Sequence, residues 1–332
     1  MKKIVITGGA GFVGSNLSQY LIKKKNIKVN IIDNLTTGKL GNLSEILKNG
    51  NLKFFKGNFS NSKLLKKAAK NSDTIIHMAT TNLRVSLSNP NETIKNNLIS
   101  YYKMLNSIKN IKNIKNIIYV SSSEVYGDSN DKYKDEKNTV CEPKTIYAST
   151  KLSGEYLTKN FSEKYKLNYI IIRPFNLFGK YSHLYGPSAE VIPRIILQLL
   201  KNKRPYIFGS GKQKRDFCEI SYVVEGIYKC LKNLKKINRK TINIGTGKPI
   251  SINELNLIIS KVLQKKIKPI YLKERPGDYH HLSAKNEIIK KIYKKKTNTR
   301  KEITKFTIQL KNQFKNQSIY KVEKYNWNWN FY

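Results

Sequence analysis

The chain has 332 residues, with 63 Lys and Arg against 22 Asp and Glu, a net charge of +41. Hydrophobic residues make up 39%, beside 18 glycines and 9 prolines. This suits one large domain or two modest ones and excludes collagen-like, linker-dominated and disordered chains. Three scattered cysteines, Cys141, Cys218 and Cys230, form neither a disulfide framework nor a zinc-type pair, so a reducing cytoplasm is the expected setting. No stretch approaches the ~20 apolar residues of a membrane span. The start is basic and then apolar, but the run breaks at Thr7-Gly8-Gly9, too early for a signal-peptide core. The lysines are spread over the whole length, with short runs at 23–25 and 294–296, and no arginine-rich helix accompanies them. Nucleic-acid sites concentrate charge on one face. The reading is therefore solvated lysine, with no specific nucleic acid or membrane as partner and a general preference for anionic small molecules.

In chain order, short apolar runs at 4–6, 29–32, 52–55, 74–76, 117–120 and 169–172 are expected strands. Amphipathic stretches at 14–25, 62–70, 94–108 and 147–165 are expected helices. This alternation predicts an α/β fold: a doubly wound parallel sheet of the Rossmann type. After about residue 174 the alternation weakens. Residues 1–173 are expected to form the dinucleotide domain, with 215–261 returning to it and adding a strand at 242–244. Residues 174–214 and 262–332 are expected to form a smaller, interleaved substrate lobe. The aromatic end, 327–332, has no period that suggests a role.

The first strand runs into Thr7-Gly8-Gly9-Ala10-Gly11-Phe12-Val13-Gly14, which opens a helix. Gly8 permits the tight turn, Gly11 the approach of a pyrophosphate, and Gly14 close packing of helix on strand. Asp33, ending the second run, can accept from adenosine ribose hydroxyls and repel a 2'-phosphate, which favours NAD over NADP. Further on, Tyr147 and Lys151 lie one helical turn apart and share a face. A free tyrosine is a poor base at neutral pH. A neighbouring lysine and an oxidised nicotinamide favour the phenolate, making Tyr147 a plausible general base. Ser121-Ser122-Ser123-Glu124-Val125-Tyr126-Gly127 follows the strand at 117–120, where a hydroxyl could share a substrate oxygen with Tyr147.

With these motifs assembled, the chain resembles the extended short-chain dehydrogenase/reductase family, the NAD-dependent nucleotide-sugar epimerases and dehydratases, to about residue 280. The resemblance makes Ser122 the catalytic hydroxyl beside Tyr147 and Lys151, with Glu124 a further catalytic candidate. It assigns the cofactor NAD to Gly8, Gly11, Phe12, Val13, Gly14, Asp33, Asn34 and Gly38. Asn58, Phe59, Ala79 and Pro174 complete that set with Tyr147 and Lys151. Arg173-Pro174-Phe175-Asn176, Arg215-Asp216-Phe217 and Arg275-Pro276-Gly277-Asp278 match family motifs. By resemblance Asn176, Arg215 and Arg275 hold the sugar nucleotide, the two arginines near its diphosphate, with Arg84 and Ser122 also on the substrate. Residues 181–187 are the expected specificity loop. The family pairs through two helices per subunit, here 94–108 and 147–165, implying a homodimer.

Asn58 replaces the family's more usual aspartate; it can still accept from an adenine amino group and donate to a ring nitrogen. His77 reads as a packed strand-end residue and His280-His281 as structural, so no metal is expected. Family members share oxidation of a sugar hydroxyl, usually at C4, and differ in the fate of the keto sugar. Ser123 stands where the deoxythymidine-type dehydratases carry an acidic residue, which counts against that chemistry. Glu124 fits decarboxylases and some dehydratases, whereas the segment 147–155 reads more like the epimerases. A 4-epimerase is favoured, a decarboxylase or 4,6-dehydratase is the alternative, and a non-catalytic Rossmann binding protein the remote one.

Overall fold

Inner strands of branched aliphatic residues have to be covered on both faces, and successive side chains go to opposite sides. Ile4, Ile6, Val29, Ile31 and Ile76 fall in one buried cluster, and Val5, Ile32, Ile75 and Ile117 in another. These belong to a seven-stranded sheet in a computed structural model that describes residues 2–315 apart from 128, 130, 185, 187 and 276. Its strands are β1 (Lys2–Thr7), β2 (Ile27–Asp33), β3 (Leu52–Lys56), β4 (Thr74–His77), β5 (Asn116–Val120), β6 (Asn168–Pro174) and β7 (Lys240–Ile244). Every pairing within it is parallel, in the order β7-β6-β5-β4-β1-β2-β3. The chain steps outward in opposite directions from β1 and β4, and a ligand crevice opens at the carboxyl ends of strands at such a reversal. This is the doubly wound Rossmann-type α/β fold that the alternation predicted.

Helix α1 (Phe12–Ile22) leaves β1 through the glycine turn. Gly8 sits at φ +72, and a Cβ on Gly14 would come within 2.1 Å of the Gly8 carbonyl oxygen, so only glycine lets the helix start this close. α2 (Ser62–Ala68) follows β3, its first turn capped by Asn61 accepting from the Leu64 N–H. Beyond β4 come α3 (Leu83–Ser88) and α4 (Pro90–Ile94), which runs through a π-helical turn at Lys95–Ile99 into α5 (Ser100–Ile108). α6 (Ile146–Lys164) is the longest helix described, capped by Thr145 accepting from Ala148 N–H. Its Gly154 lies against Tyr119 of β5, where a Cβ would meet the phenol oxygen at 2.1 Å.

Past β6 the elements divide in a way the sequence boundaries did not anticipate. α7 (Val191–Leu200), α9 (Ile252–Leu263) and α11 (Thr299–Lys315) share a separate apolar cluster with Phe178, Ile207 and Phe217. α8 (Ile220–Lys232) instead packs on α1 beneath the sheet, and α10 (Glu287–Ile292) brings Ile289 into the same sheet cluster. The expected return of 215–261 therefore divides: α8 and β7 join the sheet, whereas α9 turns its apolar face to α7 and α11. Conversely, part of 262–332 goes back to the sheet. Local patterning fixes which face of a helix is apolar, not which cluster receives it. The aromatic end at 327–332 lies outside the described residues, as do Pro187 of the expected specificity loop and Pro276 of the arginine motif.

Candidate active site

The carboxyl ends of β1, β2, β4, β5 and β6 open into one cavity of about 530 Å³ that also reaches α3, α7 and the segment around Asp278. On the sheet side it is lined by Gly8, Gly11, Phe12, Val13 and Gly14, then by Asp33 and Asn34, and beyond them by Asn58, Phe59, Ala79 and Pro174. Ser122, Glu124, Tyr147, Lys151, Arg84, Asn176, Arg215 and Arg275 line the rest. Gly38 is the one sequence-nominated residue that does not line the cavity. It packs behind it, where a Cβ would meet the Ala10 backbone and an Asp33 carboxylate oxygen, each at 2.9 Å.

The sheet side fits a dinucleotide. α1 begins at Gly11 with no side-chain cap, which leaves its first N–H groups available to an anion. The Asp33 carboxylate accepts from the Ala10 N–H at 2.9 Å and the Leu35 N–H at 2.8 Å, so the acid and the glycine turn hold one another in place. Each oxygen keeps a lone pair for a ribose hydroxyl. Asn58 differs from expectation, because its carbonyl oxygen already accepts both the N–H and the hydroxyl of Ser60 at 2.9 Å. Its amide N–H groups remain for an adenine ring nitrogen.

At the centre, the Ser122 hydroxyl, which accepts from the Glu124 N–H at 3.2 Å, faces the Tyr147 phenol across the same cavity. Burial pushes that phenol up to about 12; the nearby Ser122 hydroxyl and the Arg84 charge work the other way, and the Glu124 charge adds to the rise. Lys151, one turn on from Tyr147, is anchored to β5. Its ammonium donates to the Val120 carbonyl at 2.5 Å and lies 4.6 Å from the centre of the Tyr119 ring, and burial lowers it to about 7. Burial raises the Glu124 carboxyl, with the Arg215 charge opposing. His77 is packed as expected, its Nδ1 2.7 Å from the Thr7 hydroxyl and its ring stacked on Tyr101. Burial holds it well below the ordinary histidine range, hence neutral.

Opposite the glycine turn, Asp278 bridges two of the nominated arginines, one oxygen paired with Arg215 and the other with Arg275 at 3.2 Å. Arg215 also donates to the Tyr279 carbonyl at 2.6 Å. The Asn176 side-chain oxygen is buried without a hydrogen-bond partner among the described residues, so it can receive a donor from a ligand.

Sequence reasoning missed Glu190 and Arg194, at the start of α7, and His183 before it, all of which line the cavity. A signal was present. In Val191–Leu200 only Arg194 and Gln198 are polar, at i,i+4 spacing, and both are buried.

A doubly wound sheet with a glycine turn, an acid at the end of β2 and a hydroxyl–phenol pair above the switch point defines a dinucleotide-dependent enzyme. Residues 4–245 match the model of the NAD dependent epimerase/dehydratase family, and the chain belongs to that family, with NAD as its cofactor. It is 34% identical over 283 residues to a putative UDP-glucose 4-epimerase of Methanocaldococcus jannaschii, covering 84% of this chain and 88% of that protein. A dTDP-D-glucose 4,6-dehydratase of Dictyostelium discoideum is also 34% identical, over 276 residues covering 79% of this chain and 61% of that protein's length. Among solved structures, the UDP-N-acetylglucosamine 4-epimerase of Methanobrevibacter ruminantium M1, in complex with UDP-N-acetylmuramic acid, superposes with a TM-score of 0.85. The two are 34% identical, and the match covers 94% of this chain and 99% of that one. No helix among the described residues is long and apolar enough to cross a membrane.

Proposed function

We propose that the enzyme is a nucleotide-sugar 4-epimerase. The observation that carries this reading is the Ser122–Tyr147 hydroxyl pair set between a dinucleotide cradle and an arginine-lined pocket in one cavity. The similarity to 4-epimerases over nearly the full length supports it. NAD, held by the glycine turn, Asp33 and Asn58, would supply the hydride acceptor and donor for the sugar carbon. Tyr147 removes the proton from the sugar hydroxyl and returns it after the ring has turned its other face. Ser122 holds the same oxygen, and Arg84, close enough to favour the phenolate, supports the charged form. Arg275, Arg215 and Asn176 hold the diphosphate and its sugar. Incubation with a panel of nucleotide sugars, read by mass spectrometry and retention time, tests the reading. Unchanged mass at a new retention time is the expected result; a loss of 18 or 44 mass units would replace epimerisation with dehydration or decarboxylation.

Glu124 keeps the second reading in view, because a cavity-lining carboxyl raised by burial is a serviceable acid. Glu124→Gln should slow an epimerase by less than about ten-fold, since a bystander carboxyl lies outside the acid–base steps that are worth ~10²–10⁴. Stalled turnover with reduced cofactor accumulating, seen as absorbance at the reduced-nicotinamide band, would instead mark elimination or decarboxylation chemistry.

Asp33 sets the cofactor preference in this reading. Asp33→Ala should weaken both NAD and NADP, because the Ala10 and Leu35 N–H groups lose their acceptor. NAD should lose at least about ten-fold more than NADP, since it alone loses the ribose hydrogen bonds, while the 2'-phosphate is relieved of repulsion. Fluorescence titration of stripped protein measures both, and an unchanged ratio would remove Asp33 from this role.

The homodimer belongs to the same proposal. Ile99 and Tyr102 before and within α5, and Tyr156 on α6, are exposed on the two helices expected to pair. Covering such side chains favours association, and light scattering at micromolar concentration would find twice the chain mass. A monomer at physiological salt would overturn it.

A further inference from the structure

The chain around Asp278 faces the arginines on one side and the catalytic turn on the other. Tyr279 is the residue that does both. Its backbone serves the arginines: the carbonyl accepts from Arg215 at 2.6 Å, and the N–H donates at 3.1 Å to the Asp278 carboxylate that pairs with Arg215 and Arg275. Its side chain runs the opposite way. The ring is buried against Val125, Tyr126 and Phe175, and the phenol O–H donates to the Glu124 carbonyl at 3.3 Å.

The residue it reaches is the one that fixes Ser122. The Glu124 N–H donates to the Ser122 oxygen at 3.2 Å, capping the short turn Ser123–Tyr126. Tyr279 therefore supports, at the carbonyl, the residue whose N–H settles where that hydroxyl stands. Two positions earlier, Gly277 packs on the start of α6, where a Cβ would meet the Thr145 methyl at 2.9 Å and the Lys144 carbonyl oxygen at 3.2 Å. Thr145 caps that helix two residues before Tyr147. The run 277–279 thus abuts both elements that carry the hydroxyl–phenol pair, while its far end holds Arg215. A phenylalanine would fill the same apolar surroundings, so what the Tyr279 oxygen adds is the bond to Glu124.

We infer that Tyr279 is a positioning residue for the reaction: through the Glu124 carbonyl it sets Ser122 against Tyr147, and it ties that alignment to an arginine on the diphosphate side. This rests on the nucleotide-sugar 4-epimerase reading given above. Tyr279 does not line the cavity, so it acts through Glu124 and Ser122 and not on the sugar. Contacts to a remote part of a substrate raise the rate where they improve alignment at the reacting carbon.

Steady-state kinetics of NAD-loaded Tyr279→Phe test this. The variant keeps the ring and deletes the O–H. Its kcat should fall about three- to ten-fold, the effect of losing one hydrogen bond. KM should stay within about two-fold, because the backbone carbonyl that holds Arg215 is left in place. In a Ser122→Ala background the same change should cost less than about two-fold, since its effect passes through the Ser122 oxygen. An unchanged kcat in the single variant overturns the inference. So does a rise in KM at constant kcat, which would make Tyr279 a binding support only. A loss repeated in full on Ser122→Ala also overturns it, by assigning the effect to packing. Each of these leaves the epimerase reading standing, whereas wild-type protein that converts no nucleotide sugar removes that reading and this inference with it.

Discussion

Tyr147→Phe should abolish turnover while leaving the affinities for NAD and nucleotide sugar within about three-fold of wild type. The substitution removes one oxygen from a buried phenol that faces the Ser122 hydroxyl, so packing is preserved and the proton carrier is lost. A positioned acid–base group is worth ~10²–10⁴ in rate, and the residual rate should fall by at least that factor. Ser122→Ala should cost less, because the base remains. The phenol titrates near 12 in this cavity, far above neutral pH, so the charges around it govern how much phenolate is present. Arg84 favours the charged form, and Arg84→Met should move the rising limb of the pH–rate profile to higher pH. Full activity of Tyr147→Phe would leave a cofactor-binding fold without this mechanism.

The largest stability effect is expected one helical turn beyond Lys151. Glu155 is fully buried, and its carboxylate accepts from Arg173 Nε at 2.8 Å, from a second Arg173 nitrogen at 2.6 Å and from the Ser121 hydroxyl at 2.6 Å. The guanidinium in turn lies 4.6 Å from the centre of the Tyr126 ring. Burial works against the Arg173 charge and the carboxylate more than restores it. Glu155→Ala strands that charge, which costs about 3–5 kcal/mol, whereas replacing both partners together by apolar residues should cost much less. Urea unfolding of the single and double variants measures the difference, and a loss below about 1 kcal/mol for Glu155→Ala would contradict the geometry. The network also ties β5, α6 and β6 together directly behind Ser122, so this variant should lose activity before it unfolds.

Most of the sheet was legible in the sequence. Strands buried on both faces must be largely apolar, and the runs at 4–6, 29–32 and 117–120 announce themselves even with Asn30 and Tyr119 among them. The glycine turn was legible for a similar reason, since a Cβ at Gly14 collides with backbone, a constraint local to residues 8–14. Spacing alone placed Tyr147 one helical turn from Lys151.

Tertiary structure decided what depended on distant partners. The lysine expected to sustain the phenolate is held by the Val120 carbonyl and the Tyr119 ring, both on β5, and no spacing within α6 reveals that. Gly38, assigned to the cofactor by its motif, packs against Ala10 and Asp33, a neighbourhood its own segment does not show. The lobe boundaries shifted because α8, α9 and α10 carry apolar faces that fit either cluster, and only the assembled chain determines which one receives them. Glu190 and Arg194 entered the cavity by the same route. A charged residue in an apolar decapeptide gains its role from what α7 is packed against, and sequence records the residue without recording the neighbour.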